Sequence, residues 1–511
     1  MPIRSRWDDQ EAARFPGALG SRVYTSRLLG QDPALVLYGG GNTSVKVEER
    51  GCRVLYVKGS GADLACVDEG AFVPIDLDRV LPLLECEELD NEEMLARLKD
   101  AVLSPGAPTP SIETLLHGAL PFPYVEHTHA DSILAVANVA AADRVLQEVY
   151  GELAPVVPYR HSGFELAKAC AEAFRQQATL RTIGFILQFH GAVAFGPSAR
   201  QSYENMIALV ARAEDYLAAR GAWVLPEAAV PPLDPEAAAQ LRRDVSRAAG
   251  FPLVLTLARD PVAMAFARRT DLETVSQQGP PTPQHAIFTR RVPLLGRDVG
   301  AYTRAYAAYL TRYLGPEKAR ALDPSPRIVL DPALGLAALG VDARHASVAA
   351  DVYLHDIAII TRASAHDAYR AAPPQFIALA ELAYGGFEQR LRREAAGKRP
   401  LLGQVALVTP GADRHDPGLV PRLLELGAAV VRVVASPSDR RSDKDPALLE
   451  APLGGVTAED RERVVETAVC AFGGLDLLCA VGDREAWYRA CRSILACSPV
   501  AGALERVGIA F

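Results

Sequence analysis

The sequence of 511 residues has few cysteines, and they lack the patterns of a disulfide framework or a thiolate metal site. Its eight cysteines stand apart at positions 52, 66, 86, 170, 470, 479, 491 and 497, and no two form a Cys-x-x-Cys pair. Dispersed thiols of this kind are typical of proteins in a reducing compartment. The cysteine pattern therefore predicts a cytoplasmic protein with reduced thiols.

The sequence also lacks segments for a membrane, for export or for a nucleic acid. Its richest apolar run, Ile133–Ala142, is interrupted by Asn138 and falls short of the ~18 residues that a membrane-spanning helix needs. The charged first ten residues lack the apolar core of a signal peptide. Lys and Arg number 54 against 62 Asp and Glu, for a net charge of -8. Without a long basic run, this balance predicts no nucleic-acid partner and no membrane partner.

Breaker-rich stretches divide the chain into three segments, within the two to four domains that its length predicts at roughly 100–200 residues per domain. The first segment ends with a predicted amphipathic helix, Gln201–Arg220, and a proline-rich seam at Leu225–Pro235. The second reaches the basic stretch Arg390–Pro400. The third starts at the apolar run Val405–Val408 with a strand–turn–helix–strand order, which is typical of a parallel doubly wound sheet. These boundaries predict domains at 1–225, 235–400 and 401–511.

Three of the ten histidines have the spacing of a metal site. His127 and His129 alternate on a predicted strand, so both imidazoles lie on one face. His190 ends the next strand-like run. Three neutral imidazoles from neighbouring strands are the ligand set of a catalytic Zn²⁺ that keeps one position open for substrate. The alternative is that a His-x-His pair is only two surface histidines; His117 and His161 lack this spacing and are interpreted as structural or supporting residues.

Glu113 is the carboxylate nearest in sequence to the histidine pair. It lies at a predicted turn and helix start, Thr109–Glu113, where the helix dipole favours its charge. A carboxylate beside zinc can act as a general acid and base because the cation and burial together set its pKa. The alternative is that Glu113 only serves the helix N-terminus.

Two loops of small residues, Tyr38–Ser44 and Lys58–Gly61, each border a predicted strand. Glycines let backbone N–H groups approach a ligand, and Asn, Ser and Thr side chains add donors, so the pair suits a phosphate or a carboxylate. No GxxxxGK[ST] motif is present, which excludes a Walker A loop. The alternative is that both loops are ordinary turns.

An internal repeat links the first two segments. Residues 191–200 align with residues 335–344 at a constant offset of 144, with five of ten positions identical. Each copy follows a predicted strand and precedes a predicted helix, which supports a repeat of structure; the alternative is that two glycine-rich turns resemble each other. A true repeat makes the middle segment a second copy of the first domain. Leu334 then occupies the position of His190, and we expect this copy to bind no metal.

Taken together, these motifs resemble the class II aldolase/adducin family. The matching motifs, in chain order, are Gly41-Asn42-x-Ser44, Lys58-Gly-Ser-Gly61, Pro110-Ser-x-Glu113, His127-x-His129 and His190-Gly191. The likeness extends to the long fusion proteins in which a rhamnulose-1-phosphate aldolase precedes a short-chain alcohol dehydrogenase. Its motifs are Gly39–Ser44, Val57–Leu64, Pro110–Leu116, His127–Ser132, Gly163–Leu166 and Thr282-Pro-x-His285.

The resemblance implies an α/β protein: a three-layer α/β/α aldolase domain, a degenerate aldolase-like middle domain and a partial Rossmann-like parallel sheet. It also implies a homo-oligomer, tetramer or dimer, with sites between subunits. By carry-over, His127, His129 and His190 hold Zn²⁺ or another divalent metal, and Glu113 is the acid/base. The residues implied to bind the substrate phosphate are Asn42, Ser44, Ser60, Gly61 and Ser111. Ile112 stands where simpler members have a second serine.

The dehydrogenase half departs from its pattern. Pro410 replaces the first glycine of the TGxxxGxG turn, and Cys479–Gly482 stands where the family has NNAG. The sequence ends about thirty residues later without the Tyr-x-x-x-Lys pair. A proline at this turn removes an N–H that dinucleotide binding uses. We therefore expect no NAD(P) binding and no hydride transfer.

These observations predict a zinc-dependent lyase of carbohydrate metabolism that cleaves a small phosphorylated ketose, such as rhamnulose 1-phosphate or a fuculose 1-phosphate-like sugar. One alternative is a non-catalytic assembly or regulatory protein in the manner of adducin. Another is a zinc-dependent decarboxylase or epimerase on the same site, because fold does not determine reaction.

Overall fold

A computed structural model of the chain describes residues 3–395, 397–435 and 445–500, with the side chains of 384–387 and 390 left out. Contacts divide the chain into two compact units. Unit 1 comprises the residues up to Leu225 together with Ala358–Ala371, and unit 2 comprises Pro226–Ile357 and the chain from Ala372 onward. The first division lies at the proline-rich seam, whereas the middle and C-terminal segments share one unit.

Unit 1 is built on a seven-stranded sheet with the order β3-β2-β1-β4-β7-β6-β5. Its strands are β1 (Asn42–Glu49), β2 (Cys52–Lys58), β3 (Phe72–Asp76), β4 (Tyr124–Thr128), β5 (Val156–Val157), β6 (Gly184–Leu187) and β7 (Gly191–Gly196). Neighbouring strands run antiparallel except β5 and β6, which are parallel. The predicted strands at Val45–Val47 and Val54–Val57 are therefore the centres of longer strands.

Helices cover both faces of this sheet, which gives the predicted three layers. The helices of unit 1 are α1 (Asp9–Ala12), α2 (Gly17–Gly30), α3 (Leu77–Val80), α4 (Asn91–Asp100), α5 (Thr114–Ala119), α6 (Asp131–Ala137), α7 (Ala142–Val149), α8 (Phe164–Gln177) and α9 (Ala199–Ala219), with 3₁₀ turns at Glu69–Ala71, Leu81–Glu85 and Gly151–Leu153. On the face of the sheet that α4, α5 and α8 cover, apolar side chains form one core. It includes Leu115, Phe164, Val193 and Phe195.

Strand β4 shows how alternation positions the site. Glu126 and Thr128 point to the α2 and α9 face, where Glu126 forms a buried ion pair with Arg22 at 2.6 Å and Thr128 contacts Met206. Because successive side chains alternate, His127 points to the opposite face, toward α5. The histidine pair therefore lies on the α5 side of the sheet.

The middle segment repeats the topology of unit 1. Its strands are β8 (Val254–Ala258), β9 (Leu294–Leu295), β10 (Ile328–Asp331) and β11 (Gly335–Gly340), in the order β8-β11-β10-β9. The strand directions match those of β4-β7-β6-β5: antiparallel, antiparallel, then parallel. The register matches too, since Gly191 pairs with Leu187 and Gly335 pairs with Asp331, each 144 residues later. The predicted repeat is confirmed.

The repeated glycines are required by close backbone approach. A Cβ atom at Gly196 would lie 2.8 Å from the N atom of Ser202, and one at Gly340 would lie 2.3 Å from the N atom of Ala346, 144 residues further on. A side chain at either position would clash with the following helix. In this register Leu257, Arg259 and Leu334 occupy the positions of His127, His129 and His190, and none of the three is a usual metal ligand.

The helices of the middle segment correct two sequence boundaries. They are α10 (Pro235–Ala249), α11 (Pro261–Ala267), α12 (Leu272–Ser276), α13 (Ala286–Thr289), α14 (Val299–Leu314), α15 (Pro316–Ala319), α16 (Ala343–His366) and α17 (Pro374–Ala395). Pro235 belongs to a helix rather than the seam, because its fixed φ suits the first helical position and Asp234 caps the helix. Arg390 lies inside α17 rather than in a breaker-rich stretch.

The C-terminal segment forms a four-stranded parallel sheet of order β14-β13-β12-β15. Its elements are β12 (Val405–Val408), α18 (Pro410–His415), α19 (Leu419–Glu425), β13 (Ala429–Val434), β14 (Leu448–Pro452), α20 (Ala458–Phe472), β15 (Leu477–Cys479) and α21 (Arg484–Ala496). If the four strands are numbered along the chain, they lie in the order 3-2-1-4, which is the strand order of the first part of a doubly wound sheet. The predicted Rossmann-like architecture is therefore confirmed.

One core joins the middle and C-terminal segments. It includes Val254 and Leu339 from the middle sheet with Val405, Val431 and Trp487 from the C-terminal segment. Arg242 and Asp476 form an ion pair at 2.6 Å inside it, with side chains that are 1% and 0% exposed. The C-terminal sheet is thus packed as part of unit 2.

Candidate metal centre

Three histidine side chains converge at one end of the unit 1 sheet. His127 lies in β4 and His129 directly after it, while His190 lies in the turn between β6 and β7. The Nε2 atom of His127 is 3.0 Å from Nε2 of His129 and 3.2 Å from Nε2 of His190. The expectation that His190 ends a strand is wrong, because β6 stops at Leu187 and His190 is the last turn residue.

The hydrogen bond of His127 to the backbone fixes the nitrogen that faces the cluster. Its Nδ1 atom is 3.0 Å from the carbonyl oxygen of Ala192, which can only accept, so Nδ1 carries the proton. In the neutral ring, Nε2 then presents a lone pair to the other two imidazoles. Burial, together with the charges of His127 and His161, lowers the pKa of His190 well below its ordinary value, which favours the neutral form that binds metals.

These distances fit a tetrahedral metal. Nitrogen ligands about 2.0–2.1 Å from a tetrahedral Zn²⁺ are about 3.3 Å from one another. The two Nε2 separations are close to this value, and the three ligand atoms all lie within 4.8 Å of one another. A cation between them would bind the lone pair that Nε2 of His127 directs at the other two rings, so the donor set fits zinc or another divalent ion.

Glu113 directly precedes α5 and faces the same point. Its Oε1 atom is 3.3 Å from Nε2 of His190, and its Oε2 atom is 3.5 Å from Nε2 of His127. Burial opposes the charged form, but the neighbouring His127 and the hydrogen bond from Asn42 outweigh burial and lower the pKa of Glu113. An ionised carboxylate at this distance can serve as a fourth ligand or as a base.

Asn42 and Ser44 lie on the same face of β1 and contact the helix that Glu113 starts. The Nδ2 atom of Asn42 is 2.6 Å from Oε2 of Glu113, and its Oδ1 atom contacts Nε2 of His117. The hydroxyl of Ser44 is 2.7 Å from Nδ1 of His117 and fully buried. Sequence reasoning missed the link through His117, although two patterns point to it: Asn42 and Ser44 are two apart on a strand, and Glu113 and His117 four apart on a helix.

The other predicted phosphate-binding residues lie on adjoining loops. The backbone N–H of Ser60 donates to the carbonyl of Thr109 at 2.9 Å, so the Ser60–Gly61 loop lies beside the segment that carries Ser111. Ser60 and Gly61 are exposed, whereas Ser111 is buried, 3.4 Å from the amide of Asn42.

Lys58 ties the two small-residue loops together, a role that sequence reasoning did not assign. Its Nζ atom donates to the carbonyls of Gly39 and Ala62, each at 2.8 Å. Burial lowers the pKa of Lys58 to about 8, against the opposing pull of the carboxylates of Glu113 and Asp63. The ammonium therefore places positive charge beside the exposed Ser60–Gly61 loop.

Gly191 brings β7 against the histidine strand. A Cβ atom at Gly191 would lie 2.1 Å from the carbonyl oxygen of Thr128, and the backbone has a φ of +148°. Only glycine allows this approach, which holds His190 next to His127 and His129.

The turn after β12 is filled by the protein's own backbone. Thr409 caps α18, and a Cβ atom at Gly411 would lie 2.1 Å from the carbonyl oxygen of Val481. Arg432 is ion-paired with Asp413 at 2.7 Å and with Glu450 at 3.3 Å. The turn after β12 thus holds Pro410 and a close backbone contact, whereas dinucleotide-binding folds have glycines at the turn after their first strand.

No helix among the described residues is both long and apolar enough to cross a membrane.

Comparison with known proteins gives two family matches. The model "Class II Aldolase and Adducin N-terminal domain" matches residues 21–217, and "Aldolase class II, second domain" matches residues 232–390. The second match coincides with the middle copy of the repeat.

Relatives and solved structures extend these matches. The "Uncharacterized oxidoreductase YuxG" of Bacillus subtilis is 27% identical and covers 93% of this chain and 74% of that protein. Human "Dehydrogenase/reductase SDR family member 4" is 40% identical over 87 residues, which are 16% of this chain and 31% of that protein.

The N-terminal class II aldolase domain of a conserved protein from Thermoplasma acidophilum is 36% identical and covers 42% of this chain and 99% of that chain, with a TM-score of 0.39. The L-fuculose-1-phosphate aldolase of Thermus thermophilus is 20% identical and covers 39% of this chain and 95% of that chain, with a TM-score of 0.27.

Aldolase and dehydrogenase matches in one chain fit an aldolase–dehydrogenase fusion. With two class II aldolase domains matched in sequence, the chain belongs to the class II aldolase/adducin family.

Proposed function

We propose that this protein is a zinc-dependent class II aldolase that cleaves a small phosphorylated ketose of the rhamnulose 1-phosphate or fuculose 1-phosphate kind. The observation that carries the proposal is the convergence of three Nε2 atoms with the carboxylate of Glu113 at ligand spacing. Three histidines leave a coordination position for substrate, as catalytic zinc sites do. The family membership supports a lyase reaction.

The metal, when bound, supplies a Lewis acid for the substrate carbonyl oxygen. Glu113 would take up and return the proton at the carbon that becomes nucleophilic when the C–C bond breaks. Its position at the start of α5 and the hydrogen bond from Asn42 hold the carboxylate beside the histidines. Burial of this carboxylate limits water around the reacting carbon.

The distal phosphate would bind at the Ser60–Gly61 loop. This loop is exposed, and Lys58 places an ammonium beside it, with two of its three N–H groups bound to carbonyls. Ser111 and Asn42 lie on the inner side of the same group of loops. Ser44 would act through His117, because its hydroxyl is buried against that ring. Holding the phosphate in this way would fix the cleaved bond relative to the metal.

Metal analysis of the purified protein and a retro-aldol assay test the proposal. We expect about one zinc per chain and release of a triose phosphate from a ketose 1-phosphate. Zinc without turnover would favour the adducin-like alternative. Release of CO₂ or inversion at one carbon without C–C cleavage would favour a decarboxylase or an epimerase. The oligomeric state is expected to be a dimer or tetramer, which light scattering measures.

A further inference from the structure

We infer that Ser44 and His117 are positioning residues that fix the orientation of Glu113 through the side-chain amide of Asn42. The four side chains form one buried chain of hydrogen bonds: Ser44 to His117, His117 to Asn42 and Asn42 to Glu113. All four are at most 6% exposed. The inference rests on the proposed function only for its activity measurement.

The carboxylate sets the direction of every bond in this chain. The Nδ2 atom of Asn42 donates to the Oε2 atom of Glu113 at 2.6 Å, so the chain of hydrogen bonds ends on an acceptor oxygen. The carbonyl oxygen of Asn42 then faces Nε2 of His117, and since this oxygen can only accept, Nε2 must carry the proton.

The remaining ring nitrogen completes the order. With the proton on Nε2, Nδ1 of a neutral His117 is an acceptor, and the hydroxyl of Ser44 at 2.7 Å donates to it. Each hydrogen bond thus points toward Glu113. The bond to Glu113 thus sets the orientation of Asn42 and the tautomer of His117, and the hydroxyl of Ser44 satisfies the ring nitrogen that this tautomer leaves as an acceptor.

The opposite orientation of Asn42 is strongly disfavoured. It would turn the amide oxygen toward the carboxylate of Glu113 and the NH₂ toward the N–H of His117. The amide oxygen and the carboxylate oxygen, both acceptors, would then face each other away from water, and neither would be satisfied. The hydrogen-bond chain therefore holds Oε2 of Glu113 in place while Oε1 faces His190.

Substitutions at His117 and Ser44 separate positioning from folding. His117→Leu removes the donor to Asn42, whereas His117→Gln can place an N–H near the former Nε2 position. We expect His117→Leu to lower kcat for retro-aldol cleavage about 100-fold, the scale of a misplaced reacting group, with KM and zinc content unchanged. His117→Gln should recover most of this loss, and Ser44→Ala should give a smaller loss of kcat.

Ser26→Ala is the matched control, because Ser26 bonds the neighbouring strand residue Thr43 at 2.8 Å from the other face of the sheet. It also removes a buried hydroxyl but should leave kcat unchanged. An equal fall of kcat in Ser26→Ala and Ser44→Ala, or no recovery in His117→Gln, would overturn the inference.

The tautomer itself is measurable without substrate. In protein labelled with ¹⁵N-histidine, the His117 ring, assigned with His117→Gln, should show a protonated Nε2 and an unprotonated Nδ1. A protonated Nδ1 or a doubly protonated ring would overturn the inference whatever the kinetics of the variants. Absence of aldolase turnover with this tautomer present would instead count against the proposed function alone.

Discussion

The Nδ2 atom of Asn42 lies 2.6 Å from the Oε2 atom of Glu113, although 71 residues separate them in the sequence. Strand β1 supplies the amide and the start of α5 supplies the carboxylate. The contact satisfies one oxygen of a carboxylate that is only 5% exposed. It stabilises the charged form of Glu113 beside the histidines, which is the form that a base requires.

Glu113→Gln should abolish turnover without removing the metal. Glutamine keeps the size of the side chain but cannot take up a proton, so we expect kcat to fall by a factor of about 10²–10⁴, the usual contribution of a general base. Retro-aldol assay and metal analysis of the same preparation measure both quantities. Glu165→Gln, an exposed carboxylate on α8, is the control and should keep full activity. A Glu113→Gln protein with normal kcat would exclude Glu113 as the acid/base.

His129→Ala should strip the metal. Two imidazoles and one carboxylate bind zinc more weakly than a complete set, so we expect substoichiometric zinc after dialysis and no turnover. Elemental analysis checks this result. His415→Ala, at an exposed histidine of the C-terminal segment, should leave the zinc content unchanged. Stoichiometric zinc in His129→Ala would mean that the metal binds elsewhere.

Local periodicity predicted the elements that depend on neighbours in the sequence. The alternation around His127 and His129 indicated one face, and the structure places both on the same side of β4. The constant offset of 144 predicted the second copy. This offset reflects packing, because the repeated glycines lie against equivalent backbone atoms in the two copies. Val405–Val408 was predicted as a strand and has those bounds.

The rest depends on contacts between distant residues. The spacing of Glu113 and His117 places both at the start of α5, but the hydrogen-bond partners of His117, Asn42 and Ser44, lie on β1 about 70 residues earlier, so no local pattern pairs them. Arg242 meets Asp476 across 234 residues, so no local pattern could join the middle and C-terminal segments in one core. The turn position of His190 also escaped prediction, because an apolar run does not mark where a hairpin begins to turn.

Arg242→Met should strongly destabilise unit 2. The guanidinium makes two hydrogen bonds to Asp476 and one each to the carbonyls of Leu253 and Gly403, all buried. Removal of one partner leaves an uncompensated buried charge, which costs about 3–5 kcal/mol. Urea unfolding followed by Trp487 fluorescence measures the change, since Trp487 lies in the shared core.

The neighbouring Arg243→Met provides the control, because its side chain is 21% exposed, against 1% for Arg242, and its ion pair with Asp244 is longer, at 3.8 Å. We expect it to change the free energy of unfolding by less than about 1 kcal/mol. Equal effects of Arg242→Met and Arg243→Met would contradict a structural role for the buried pair.

Glu381 should make unit 2 less stable as the pH rises from about 4.5 to about 7. Burial raises its pKa to about 7, against the opposing effects of Arg290 and the hydroxyl of Tyr306. Between these pH values the folded protein binds a proton at Glu381 that the unfolded chain has lost, so stability falls with pH, by up to about 3 kcal/mol. Glu381→Gln should remove this slope, which urea midpoints at pH 5 and pH 8 measure. A slope that persists in the variant would assign the titration to another group.

The C-terminal sheet should bind neither NAD⁺ nor NADP⁺. It has the strand order of a dinucleotide-binding fold, but the carbonyl of Val481 closes on Gly411, and Pro410 supplies no N–H at the turn. Asp413 adds negative charge where two phosphates would lie, and Arg432, which could offset it, is already paired with Asp413 and Glu450. Calorimetric titration of the full chain should therefore show no saturable heat at micromolar concentrations of either cofactor. Saturable micromolar binding would show that the turn opens to admit a pyrophosphate. The C-terminal segment would then be a cofactor-binding domain, like that of the dehydrogenases it resembles. Without such binding, the core shared with the middle copy, joined through Arg242 and Asp476, is the physical role of the sheet.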